Sequence, residues 1–187
     1  MNKTRTMTTI AVLGALSFVL MLVNFPILPG VDFLKLDFSI IPILIGLVLF
    51  DLKSAYTILM LRSVLKLIFD NGGPGGIVGL PMNILAIGVF VTAFALIWKD
   101  RKKTSQYIWA SIAGTVGMTL LMLLLNYVYA IPLYAKFAKF DIEQFIGVGK
   151  YLVSMVIPFN VLEGVIFSLA FALVYAAIRP ILQKNSH

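Results

Sequence analysis

Residues 152–178, LVSMVIPFNVLEGVIFSLAFALVYAAI, hold one acid, Glu163, and no base. A helix needs about 20 mostly apolar residues to cross a hydrocarbon core of about 30 Å, and this run is long enough. Residues 77–98, IVGLPMNILAIGVFVTAFALIW, and 107–131, YIWASIAGTVGMTLLMLLLNYVYAI, carry no charge at all. These three runs decide the fold class: an all-α integral membrane protein.

Working outward, three further runs complete the pattern. Met7–Val23 follows Lys3 and Arg5. It reads as a first span or a cleaved signal peptide, and no small-residue cleavage site follows it to favour the second. Phe38–Phe50 is short: 13 residues at ~1.5 Å each give about 20 Å. Either it lies tilted among other helices, or it begins earlier, within Phe33–Asp37. Ser54–Phe69 is the third run. Six transmembrane helices in one domain, residues 1–187, are therefore expected.

Composition agrees. Hydrophobic residues make up 60% of the 187-residue chain and charged residues 12%, against about 45–50% and about 25% in ordinary soluble domains. The net charge of +7 does not call for nucleic acid, because the basic residues gather at the ends of apolar runs. With both termini inside, Lys3, Arg5, Lys53, Lys99, Arg101, Lys102, Lys103, Arg179 and Lys184 face the cytoplasm. Lys35, Lys136, Lys139 and Lys150 face out, and Arg62 and Lys66 lie within the third run. Nine against four among the fifteen basic residues gives an N-in, C-in arrangement in the cell membrane. Trp98, Tyr107 and Trp109 flank the Lys99–Lys103 loop as interfacial aromatics.

Several chemistries are excluded. There is no cysteine, and the one histidine is His187. Neither a thiolate nucleophile nor a His- or Cys-ligated metal is expected. Gly72–Gly76 is glycine-rich but lacks the Gly-Lys-Ser/Thr of a phosphate-binding loop, so it reads as a turn. Any ATP-driven work must use another chain's ATPase.

Polar residues inside the apolar runs are informative, because desolvating them is costly. Arg62 and Lys66 share a face of the third run, continued by Asp70. Glu163 is expected to pair with one of the two cations or to touch a ligand. Asn83, Asn126 and Asn160 lie in three different runs. They either hydrogen-bond helix to helix or converge on a polar heteroaromatic ligand. Tyr127, Tyr129, Phe137 and Phe159 lie near enough in sequence to offer stacking faces. The external segments Asn24–Asp37, with Pro26, Pro29 and Gly30, and Pro132–Tyr151, with Phe140, Asp141 and Glu143, are either solvated connections or a cover over a cavity. Ala11, Gly14 and Ala15 form a small-residue strip that lets another helix approach, from this chain or from a partner.

Four segments carry a resemblance: Phe33-Leu34-Lys35-Leu36-Asp37-Phe38-Ser39; Leu125-Asn126-Tyr127 with Ile131-Pro132; Pro158-Phe159-Asn160-Val161-Leu162-Glu163-Gly164; and Ala11-x-x-x-Ala15. Together they resemble the riboflavin-specific S components of energy-coupling factor (ECF) transporters, along essentially the whole chain. The resemblance implies a non-catalytic, multi-pass subunit with no cofactor and riboflavin as transported ligand. The long external loop between helices one and two would cap the ligand pocket. The partners implied are a transmembrane coupling protein and two ATP-binding cassette ATPases. By motif, Asn126 and Asn160 would bind the flavin ring, Leu36 would lie against it, and Ala11 and Ala15 would face the coupling protein. Relatives commonly carry Lys where this chain has Glu163. Either Arg62 or Lys66 compensates, or the preference has moved toward an FMN-type flavin or another vitamin. An intramembrane enzyme and a ligand-free structural subunit are the readings from other classes.

Overall fold

The computed structural model describes residues 3–29, 31, 33–137 and 142–184. Gly30, Lys139, Phe140, Asp141 and His187, all named above, lie outside the described residues.

Helix α1 (Lys3–Leu22) leads into a small antiparallel hairpin, β1 (Asn24–Pro26) and β2 (Lys35–Asp37), with Phe25 opposite Leu36. The segment before the second helix thus contains a short strand, which corrects the idea that this helix begins within Phe33–Asp37, while the fold as a whole is mostly helical. The cause is local. The Asp37 carboxylate accepts from the Ser39 N–H at 2.8 Å, an Asx-type turn that competes with helix.

Helix α2 (Ile40–Leu49) has only 10 residues. It avoids the length problem by being enclosed: Ile40, Ile43 and Leu44 are fully buried. Helix α3 (Leu52–Phe69) starts on an Asp51 cap that accepts from the Ser54 N–H at 2.7 Å. Gly46 lets α3 come close, since a Cβ there would sit 2.2 Å from Ile58.

Helix α4 (Gly73–Ile97) begins inside the glycine-rich stretch, which is therefore not a free turn; Gly72 caps it with φ +67°. Two long rods follow. The first joins α5 (Thr104–Leu125), a π turn (Asn126–Ala130) and α6 (Ile131–Phe137). After α7 (Ile142–Phe145), the second joins α8 (Val148–Tyr151), a π turn (Leu152–Val156) and α9 (Ile157–Lys184). Much of the expected external loop Pro132–Tyr151 is thus helix.

Four of these helices are long and apolar enough to cross a membrane: Lys3–Leu22, Gly75–Ile97, Thr104–Phe137 and Val148–Pro180. The outer surface fits a lipid solvent, with Leu120, Leu169 and Leu173 exposed. One end of the core is an aromatic cluster in which Trp98 lies 4.9 Å from Tyr107 and 4.8 Å from Tyr175 between ring centres. The site described next lies at the other end, beside the hairpin and the two π turns.

Candidate functional site

A cavity of about 220 Å³ lies where the hairpin, α4 and the two rods meet. Phe33, Leu34 and Lys35 come from the hairpin. Gly75, Gly79, Met82 and Asn83 come from α4. The first rod supplies Met122, Asn126, Ala130 and Tyr134, and the second supplies Tyr151, Phe159 and Glu163. A larger apolar groove of about 360 Å³ runs between α5 and α9. Its Ser111, Thr119 and Ser168 hydroxyls are spent on their own helices' carbonyls. A ligand pocket needs a few free polar groups on apolar walls, so the smaller cavity is the candidate site.

Its polar groups are aimed by chemistry that can be read without ambiguity. Arg62 is completely buried. It donates to the Ser39 hydroxyl and, at 2.7 Å, to Asn83 Oδ1. Guanidinium only donates, so Asn83 must present its oxygen to Arg62 and keep its NH2 for the cavity. Asn126 and Asn160 each donate to the carbonyl four residues back, Met122 and Val156, at 2.8 Å. Both amides therefore offer oxygen. Tyr151 donates its hydroxyl to Asn126 Oδ1 at 2.7 Å, while the buried Asn160 Oδ1 has no partner.

Both π turns lie at this level. Such bulges, one residue wider than an α turn, occur often at functional sites. Asn126 opens one, and Tyr151 immediately precedes the other.

The hairpin is fastened over the site. Ser17 of α1 donates to the Ser39 carbonyl at 2.6 Å, and Arg62 holds the Ser39 hydroxyl. One buried guanidinium thus links the cover to Asn83 in the cavity wall.

Asn83, Asn126, Glu163 and Phe159 line the cavity. Asn160 sits behind the wall, and Leu36 is wholly buried in the core while its neighbours Phe33–Lys35 reach the cavity. The expected pairing of Glu163 with Arg62 or Lys66 is replaced by other partners. Lys66 pairs with Asp70, one turn on, and Arg62 is taken by hydroxyls and Asn83. Among the described residues Glu163 has no ion-pair partner.

Tyr127 and Phe137 are exposed away from the site. Tyr134 and Tyr151 are the aromatic walls that the sequence reading missed. The signal for both was an aromatic residue beside a helical apolar run, hidden because the segment read as loop. Ala11 and Ala15 stand exposed on α1, but Gly14 is buried: a Cβ there would sit 2.4 Å from Leu61. Gly14 therefore packs α1 on α3.

The family profile described as "ECF transporter, substrate-specific component" matches residues 5–175. The chain belongs to the S components of ECF transporters. This S component is 56% identical to the riboflavin transporter RibU of Streptococcus thermophilus, over 98% of this chain and 87% of that one. It is 41% identical to the riboflavin transporter RibU of Leuconostoc mesenteroides, over 96% and 93%. It is 29% identical to the riboflavin transporter FmnP of Bacillus subtilis, over 99% and 98%. A solved structure of the S component of a bacterial ECF transporter superposes with a TM-score of 0.80 at 30% identity, covering 97% of this chain and 99% of that one. These relatives are named as transporters, not enzymes. An S component is a membrane subunit, as the apolar rods require.

Proposed function

We propose that this S component binds riboflavin in the cavity beneath the hairpin and delivers it inward through a separate coupling protein with two ATP-binding cassette ATPases. The observation that carries the reading is the meeting of Asn83, Asn126 and Glu163 with Tyr134, Tyr151 and Phe159 around one small space. A flavin joins a flat ring, suited to aromatic walls, to an edge that alternates carbonyl acceptors with an imide N–H. Asn83 has an NH2 to give such a carbonyl, and the Tyr151 and Glu163 oxygens can take the imide proton. The names of the relatives support the same ligand.

In this reading the chain crosses the membrane six times with both termini in the cytoplasm, and α2 and α3 complete the count. The hairpin and Phe33–Lys35 then cover the site from outside. The exposed Ala11 and Ala15 give α1 a smooth strip for the coupling protein, since small residues permit close helix approach in lipid.

The test is a riboflavin titration of the purified chain in nanodiscs, read by quenching of flavin fluorescence. One riboflavin per chain is expected, with strong quenching by the tyrosines. Saturable binding of an FMN-type flavin or another vitamin, with none of riboflavin, would move the assignment to that ligand.

A further inference from the structure

At the end of the bundle remote from the hairpin, Arg101, Lys102, Lys103 and Arg179 surround a second cavity of about 180 Å³, together with Trp98, Thr104, Tyr107 and Tyr175. We infer that this cavity binds a phosphate-type oxyanion, supplied by the headgroup of an anionic phospholipid.

Three independent features meet there. The first is surplus positive charge. Among the described residues the carboxylate nearby is Asp100, which is half-buried; it accepts from the Lys102 N–H at 3.0 Å and lies 3.9 Å from Lys103. That leaves Arg101, Lys102 and Arg179 without an acid among the described residues. Burial also pushes the Arg101 guanidinium below its ordinary value, as befits a cation short of counter-charge.

The second is the open start of α5. Its N-cap, Lys103, makes no side-chain cap, and its first turn has no acid. The first N–H groups of a helix have no partner within it, and they favour an anion. Lys103 and Thr104 bring this end to the cavity.

The third is unspent donors. Trp98 is only 2% exposed, and its Nε1 has no acceptor. Arg101 lies over the Trp98 ring at 4.8 Å, and its Nη1 also has no acceptor. Buried donors normally have partners. The general excess of cations on inner loops explains the charges, but not two unpaired donors around one cavity.

The source follows from position. The cavity sits between the end of Gly75–Ile97 and the start of Thr104–Phe137, both long and apolar enough to cross a membrane. The loop joining them therefore lies at headgroup level. Basic pockets between helices at this level suit phosphate headgroups.

The test uses Trp98 as reporter. Trp109→Phe removes the other of the two tryptophans, an exposed one. This protein goes into phosphatidylcholine nanodiscs with rising phosphatidylglycerol, and in a second arm with inorganic phosphate alone. A saturable change in Trp98 emission is expected with phosphatidylglycerol. Lys102→Gln, Lys103→Gln and Arg179→Gln together should weaken it about a hundredfold, at roughly fivefold per cation. All three side chains are exposed, so the fold should survive, with circular dichroism as the check. A saturable response to inorganic phosphate, also weakened by the triple substitution, would support the oxyanion site with a soluble source. No saturable response in either arm, or the same curve from the triple variant, would overturn it.

Discussion

The Tyr151 hydroxyl donates to Asn126 Oδ1 at 2.7 Å, a bond that ties the two long rods together where each carries a π turn. It fixes the Asn126 amide and turns the hydroxyl's lone pairs toward the cavity. Tyr151→Phe should weaken riboflavin binding and destabilise the bundle by about 0.5–1.5 kcal/mol, the usual net worth of such a bond. Titration and thermal unfolding of the same variant check both. Unchanged binding would place the ligand elsewhere.

Asn126→Ala should weaken riboflavin binding by roughly 1–3 kcal/mol if a buried ligand group is left unpaired, and Asn160→Ala, from behind the cavity wall, by less. The Asn126 effect is the sharper check, because Asn126 lines the cavity. Equilibrium titration decides, and two parent-like variants would reduce both amides to packing.

Among the described residues Glu163 has no ion-pair partner, so Glu163→Gln breaks no ion pair. Its melting temperature should hold or rise. Glu163→Lys should insert without loss of helix and weaken flavin binding, because an ammonium cannot accept the imide proton. A fall of several degrees for Glu163→Gln would reveal a partner and restore the pairing first expected from the sequence.

Small residues of α1 divide by exposure. Gly14→Leu should destabilise the bundle, because even a Cβ overlaps Leu61. Ala11→Trp with Ala15→Trp should leave riboflavin binding intact and abolish uptake by cells carrying the ATPase module. Paired binding and uptake assays separate the two. Persistent uptake would remove this face as the docking surface.

The cap of α3 gives a pH prediction. The Ser54 N–H holds the Asp51 carboxyl below its usual value. The cap's contribution is therefore present above the unfolded carboxylate pKa and lost as pH falls through the folded one. Asp51→Ala should cost about 1 kcal/mol near neutrality and less in acid, as unfolding curves at several pH values would record.

The long helices were legible because an unbroken apolar run has one stable form in lipid. The asparagines and Glu163 were legible as costly groups in the same runs. Other features depended on partners that spacing does not reveal. Leu36 turns into the core because its neighbours pair as a strand, an alternation of period two too short to stand out. Lys66 goes to Asp70 because that acid is one turn away, and Arg62 finds Ser39 and Asn83 only once three elements meet. Tyr134 and Tyr151 were hidden because a π turn extends each rod into sequence that looks like loop.

Gly79 gives the most direct test of the cavity as the riboflavin site. It lines the cavity, and a Cβ built on it meets nothing within 4 Å. Gly79→Leu should fill the space without striking the backbone. The measurement is riboflavin titration of the parent and of Gly79→Leu in nanodiscs, with matched helix content. The account predicts saturable binding at one per chain for the parent and none for the filled variant. Equal binding by both would contradict it.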